Sequence, residues 1–308
     1  MTKNKIRIGT RGSPLALWQS NWIKSRLQSL HAGLKAEIVP IKTSGDKIQD
    51  VALAKIGGKG LFVKEIEEAL LSGQIDIAVH SMKDVPVKLP AGLNIVAIPS
   101  REDPRDALIS KNDIKLKDLP RKARIGTGSL RRITQLLNYR PDLEIVPLRG
   151  NVETRIKKIT SEALDGIVLA VAGLRRMGME DKISEAIDPG ILLPAVGQGA
   201  IGVEARQFDA DTLELVLELD HEETHIALEA ERAFLRALGG GCQVPIGAYA
   251  TLDGDRLTLK AVVGSLDGKQ IFKSEKTGVP RNAQDIGESL GKEMLEQGAG
   301  KLLDEIYQ

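Results

Sequence analysis

The stretch Asp76-Ile77-Ala78-Val79-His80-Ser81-Met82-Lys83-Asp84-Val85-Pro86 decides the fold class. Its apolar run from Ile75 to His80 reads as a buried strand. Ser81, Lys83 and Asp84 follow together at the strand's carboxyl end, where open α/β sheets gather ligands and chemistry. Upstream, Lys5 to Gly9 reads as a strand, Ser13 to Leu30 as a helix, Ala36 to Ile41 as a strand and Leu61 to Leu71 as a helix. Downstream of Ser100 the alternation repeats: strand 124–126, helix 130–138, strand 143–147, helix 152–161, strand 166–170. Two α/β lobes are expected, each with a mostly parallel sheet. The Pro- and Gly-rich segment Leu192 to Ala200, LLPAVGQGA, reads as a connector between them. Beyond it come helices near 211–219 and 225–238, strands near 244–252, 257–264 and 270–278, and a final helix 282–307. That order suggests a separate α+β domain.

A length of 308 residues suits two or three domains at roughly 100–200 residues each. With 43 Lys+Arg against 42 Asp+Glu, no global charge draws the chain to nucleic acid or an anionic membrane. Aromatic residues at 3% offer few platforms for stacking bases. No stretch approaches the about 18 consecutive apolar residues of a membrane span, and no signal-peptide h-region opens the chain, so a cytoplasmic protein is expected. One cysteine and four histidines leave little for a disulfide framework or a metal site.

Two helix starts look like anion sites. In Gly9-Thr10-Arg11-Gly12-Ser13-Pro14, Ser13 is placed as N-cap and Pro14 at the first helical position, leaving backbone N–H groups to face an anion. Gly126-Thr127-Gly128-Ser129-Leu130-Arg131-Arg132 repeats the device. Cations in a first turn oppose the helix dipole at a cost of about 0.3–1 kcal/mol each. A bound carboxylate or phosphate would reverse that sign at Arg131 and Arg132. Either start alone reads equally as an ordinary N-cap; the pair favours anion binding. Arg149, Arg155 and Arg176 also fall at element ends, and their planar forks suit carboxylates.

Asp84 is the candidate general acid or base, or a fixed negative charge against a developing cation, with Lys83 tuning it or holding a carboxylate. It reads also as a plain turn-former. Lys55-Ile56-Gly57-Gly58-Lys59-Gly60 lacks the spacing of a phosphate-cradling P-loop, which excludes ATP on this motif. A mobile lid carrying Lys55 and Lys59 fits better. Gly239-Gly240-Gly241 closes a helix and presents Cys242, the one thiol of the chain; residue chemistry leaves a small core hydrophobe and a reactive thiol both open there.

At this point the chain resembles the porphobilinogen deaminase family across nearly its whole length. The matching stretches are GTRGSPLALWQ from Gly9, GGKGLFVKEIE from Gly57, VHSMKDVP from Val79, REDPRDAL from Arg101, GTGSLRR from Gly126, LRGNVETR from Leu148, LPAVGQGA from Leu193, and ERAFL through GGGCQVPIG from Glu231. The resemblance implies two periplasmic-binding-protein-like lobes around a cleft plus a C-terminal α+β domain with a three-stranded sheet: residues 1–99 with 200–217, 100–199, and 218–308. It implies a monomeric transferase of tetrapyrrole and haem biosynthesis that deaminates porphobilinogen, joins four units head to tail and releases hydroxymethylbilane by hydrolysis. The primer would be a dipyrromethane cofactor held covalently by Cys242. Asp84 and Lys83 would be catalytic. Ser13, Lys83, Asp84, Ser129, Arg131, Arg132 and Phe62 would contact the cofactor, and Arg11, Ser13, Gln19, Arg149, Arg155 and Arg176 the substrate. Gly57, Gly58 and Gly60, with Lys55 and Lys59, would belong to the lid. Many relatives carry a serine where this chain has Gly128, so a hydroxyl contact is absent there. Two rivals stand beside this reading: a two-lobed anion-binding protein with no covalent group, and a cysteine-nucleophile hydrolase with His80 as base.

Overall fold

The computed structural model of the chain describes residues 3–47, 63–240 and 244–307. It divides into two compact units, Met1–Glu102 with Ala200–His225, and Asp103–Gly199 with Ile226–Gln308.

The first unit is built on a five-stranded sheet. Its strands are β1 (Lys5–Arg11), β2 (Lys35–Ile41), β3 (Ile77–Ser81) and β4 (Leu93–Ala97), joined late in the chain by a returning strand, Ile201–Arg206. β1 runs parallel to both β2 and β3, as the alternating pattern requires. Ile201–Arg206 then inserts antiparallel between β3 and β4, so the sheet is mixed. Alternation along β3 sorts its side chains. Ile77 and Val79 pack with Ile23 and Leu27 of helix Pro14–Leu30, while Ala78 packs with Ile66 and Leu70 of helix Lys64–Leu71. At the amino end of β3, Asp76 is fixed by Arg7 Nη2 at 2.9 Å and Lys3 Nζ at 2.8 Å. Burial alone would raise this carboxyl, but hydrogen bonds from Arg7 and Lys3 hold it down at about 2.

In the second unit, β5 (Asp106–Ser110), β6 (Arg124–Gly126), β7 (Glu144–Val146), β8 (Gly166–Ala170) and β9 (Glu185–Ala186) form a sheet of the same plan. The strand Ile201–Arg206 is then β10. β6 is parallel to β7 and β8, and β5 is antiparallel to β8 and β9. β4, β5, β9 and β10 lie outside the sequence expectation: turn residues flank LNIVA and DALIS, but the periodicity of such short apolar runs does not by itself tell a strand from other buried structure. The parallel pairing holds for three strands of each lobe and the rest are antiparallel.

The C-terminal part of this unit is a meander of β11 (Ile246–Asp253), β12 (Arg256–Gly264) and β13 (Ile271–Gly278). Leu257, Leu259, Ala261 and Val263 alternate onto a core shared with Phe234, Leu290 and Met294. Thr134 Oγ1 donates to Ser265 O at 2.8 Å and Asn138 Nδ2 to Gly268 O at 3.0 Å, tying the helix Leu130–Tyr139 to this sheet. The segment read as a connector is held at several points here too. Buried Glu231 accepts Gly197 N–H at 2.7 Å and Ala250 N–H at 2.9 Å, and Gln135 Oε1 accepts Leu193 N–H at 2.8 Å. The expected last helix is broken: Ala283–Met294 and Gly300–Tyr307 flank a wide turn at Leu295–Ala299. Gly298 sits there at φ 112°, a conformation that suits glycine and ends a regular helix.

Candidate active site

The first unit carries a cavity of about 60 Å³ at the carboxyl ends of β1 and β3. Arg11, Ser13, Leu15, Ala16, Gln19, Val63, Val79, His80, Ser81 and Asp84 line it. Local sequence explains the convergence. Pro14 at the first helical position and Ser13 as cap start the helix, with Ser13 Oγ accepting Ala16 N–H at 3.3 Å. One and a half turns on, Gln19 is 2% exposed and its Nε2 donates to Ser81 Oγ at 3.0 Å. The hydrogen bond sets the first-lobe helix against the end of β3. Asp84 and Lys83 follow in the tight turn Met82–Asp84, both half-buried; Lys83 is not among the lining residues.

In the second unit the expected helix start is present, with Ser129 in the N-cap position of helix Leu130–Tyr139 but making no side-chain cap bond. Arg131 and Arg132 do not splay into solvent: they are 3% and 5% exposed. Both grip Asp106, Arg131 Nη1 at 2.6 Å and Arg132 Nη2 at 2.7 Å, and Gln198 Nε2 adds a bond at 3.0 Å. Burial would push the Asp106 carboxyl up; the charges of the two arginines override it and hold it down at about 2. The carboxylate that makes two first-turn cations tolerable is therefore first the protein's own. Two guanidiniums against one carboxylate leave a buried net positive charge, and Arg131 Nε has no hydrogen-bond partner among the described residues.

Arg149 is half-buried, with no hydrogen bond or ion pair among the described residues. Arg155 Nε donates to Gly150 O at 2.7 Å, and Arg176 Nη2 to Gly199 O at 2.6 Å, both within the second unit. Cys242, Phe62, Lys55, Gly57, Gly58, Lys59 and Gly60 lie outside the described residues.

Arg11, Ser13, Gln19 and Asp84 thus meet at one cavity, and Arg131 and Arg132 at one buried cluster. Sequence reasoning missed Asp106 and Gln198, which lie inside the quoted stretches REDPRDAL and LPAVGQGA. The first-turn cations signalled that an anion was needed, and local pattern could not name which. It also missed Glu204, whose Oε2 shares a hydrogen bond of 2.8 Å with His80 Nε2.

Among the described residues no helix is long and apolar enough to cross a membrane, and no group of three or more His, Cys, Asp or Glu is arranged to hold a metal ion.

A family model described as "Porphobilinogen deaminase, dipyromethane cofactor binding domain" matches residues 6–214, and one described as "Porphobilinogen deaminase, C-terminal domain" matches residues 225–296. The porphobilinogen deaminase of Syntrophobacter fumaroxidans is 53% identical over 307 residues, covering 100% of this chain and 99% of its own. That of Carboxydothermus hydrogenoformans is 54% identical over 304 residues, covering 99% and 98%. With more than half of the residues identical over the full length and both domain models matched in order, the chain belongs to the porphobilinogen deaminase family.

Proposed function

We propose that this chain deaminates porphobilinogen, joins four units head to tail on a primer and frees hydroxymethylbilane by hydrolysis, with Asp84 as the central catalytic group. The observation that carries the assignment is the convergence of Arg11, Ser13, Gln19 and Asp84 on one cavity at strand carboxyl ends. Porphobilinogen brings an acetate and a propionate, which the Arg11 guanidinium and the N–H groups at the helix start are suited to hold. Loss of ammonia leaves a cationic pyrrole carbon. A carboxylate fixed beside it stabilises that charge without reorganising, and takes or returns protons as bonds change. Lys83, next in the same turn, pairs with a carboxylate or tunes Asp84.

The residues present fit a dipyrromethane. Its carboxylates would meet the net positive cluster of Arg131 and Arg132, with Ser129 at the helix start; when bound, the group supplies the free pyrrole end on which the chain is built. Cys242 would hold it by a thioether, and Phe62 would lie against a ring. Arg149, Arg155 and Arg176 would take substrate carboxylates, and the loop with Lys55, Gly57, Gly58, Lys59 and Gly60 would serve as lid. We include in the proposal a division into residues 1–99 with 200–217, 100–199 and 218–308, supported by separate cores under each sheet, and a monomeric cytoplasmic protein.

Intact mass before and after denaturation, read beside porphobilinogen-dependent ammonia release, tests the proposal. A dipyrromethane adduct with ammonia release supports it. A protein at its bare sequence mass that releases no ammonia sinks it and returns the anion-binding reading.

A further inference from the structure

Behind Asp84 the first unit buries a second set of ionisable groups that the proposed chemistry has not used. His80 is 6% exposed, Glu204 0% and Glu67 8%. His80 lies on β3 and Glu204 on β10, where antiparallel register sets Gly202 opposite His80 and Glu204 opposite Ala78, so the two side chains share one face of the sheet. Met82 and Ile95 pack over Gly202 on that face. Glu204 Oε2 and His80 Nε2 share a 2.8 Å hydrogen bond, while Glu204 Oε1, fully buried, has no hydrogen-bond partner among the described residues. Glu67 reaches the same face from helix Lys64–Leu71.

Such a set is expensive if it serves only to hold strands together, since apolar side chains fill the rest of that layer, and a buried ionic group replaced by apolar ones is often neutral or stabilising. One member also borders the site. His80 lines the cavity with Asp84, Ser81 and Gln19, and no hydrogen bond engages its Nδ1 among the described residues.

We propose that His80 is a further proton-handling residue of this site, taking up the proton released at each coupling step, with Glu204 as the positioning carboxylate that fixes the imidazole and balances its charge. The inference rests on the reaction proposed above. Joining two pyrrole units forms one C–C bond and breaks one pyrrole C–H bond; the electron pair returns to the ring and the proton must leave to a base. Asp84 then stabilises the cation and exchanges protons as ammonia leaves, while His80 takes the proton lost at coupling. Glu67 enlarges the buffer. Burial, then the charge of Glu204, push its carboxyl up to about 7 against the opposing pull of His80, with Glu68 adding a little.

The other charged groups packed around this layer are engaged elsewhere. From β10, Arg206 donates to Leu70 O, Ile75 O and Asp209; from β1, Arg7 binds Asp76, and Arg11 lines the cavity; β4 contributes no ionisable side chain.

The test is the pH dependence of kcat for ammonia release in Glu204→Gln and Glu67→Gln, with intact mass to establish that the covalent primer is present and thermal melting to establish the fold. Removing a negative charge beside an imidazole makes it give up its proton at lower pH. The acid limb of the kcat profile in Glu204→Gln is therefore expected to move to lower pH by at least about half a unit, with kcat at neutral pH down about ten-fold or more and KM within about two-fold. Glu67→Gln, which leaves the His80 bond intact and serves if Glu204→Gln fails to fold, is expected to move the same limb the same way by less. Profiles that superimpose on the parent's in a folded, primer-bearing variant overturn the inference while leaving the reaction assignment standing. A parent protein that releases no ammonia overturns both.

Discussion

The carbonyl oxygen of Leu148 lies 2.8 Å from the position a β-carbon on Gly128 would take. The neighbour is backbone, so it yields only by moving the loop that carries Arg149. Gly128 is not held at positive φ, so the obstacle is space rather than backbone strain.

Gly128→Ser is accordingly expected to destabilise the chain by about 1 kcal/mol, as a crowding cost of about 1–3 kcal/mol is partly offset by about 0.4–1 kcal/mol of reduced unfolded-state freedom. Urea unfolding measures the loss. A variant as stable as the parent would show that the 148–150 loop gives way freely.

Asp106 neutralises one of two buried arginine charges. Asp106→Asn leaves Arg131 and Arg132 facing each other with no anion, and a loss of about 3–5 kcal/mol is expected. Denaturant titration checks it. Restoration of stability by added dicarboxylates would tie the same cluster to ligand carboxylates.

Acid stability follows from Asp76 and Asp106, both held down at about 2 in the folded chain. A carboxyl lower in the folded than in the unfolded state contributes its full stabilisation above the unfolded value of about 3.9, and that contribution is lost as pH falls toward 2. Unfolding free energy should therefore change little from these two groups between pH 5 and 8 and drop steeply below about pH 4. Asp76→Asn, read by the same pH series, should flatten part of that drop.

Asp84→Asn preserves size and turn geometry while removing the charge. The covalent group should remain, by intact mass, while ammonia release falls by about a hundred-fold or more. Normal turnover in that variant would remove Asp84 from the mechanism.

Cys242→Ser should lack the thioether-linked adduct, and because a ligand bound only to the folded state stabilises it, its melting point should fall. An unchanged adduct mass would put the attachment on another residue.

Sequence by itself determined most of the local structure and the family. Periodicity marked helix Val152–Ser161 and strands Arg124–Gly126 and Gly166–Ala170 at their observed bounds, since caps and apolar spacing are properties of neighbours in the chain. It also brought Asp84, Ser13 and Arg11 forward as site candidates, because a charged residue after a buried strand, or a Ser-Pro start after Gly-Thr-Arg-Gly, is visible within a dozen residues.

Tertiary structure decided the partners. β10 pairs with β3 across more than a hundred residues, and only that register sets Glu204 against His80. Asp106, on an antiparallel strand that no local pattern marked, turns Arg131 and Arg132 inward. The reason is physical: a buried charge is tolerated only where a partner is fixed within hydrogen-bond reach, and which residue supplies it depends on strand order and register, which apolar periodicity leaves open.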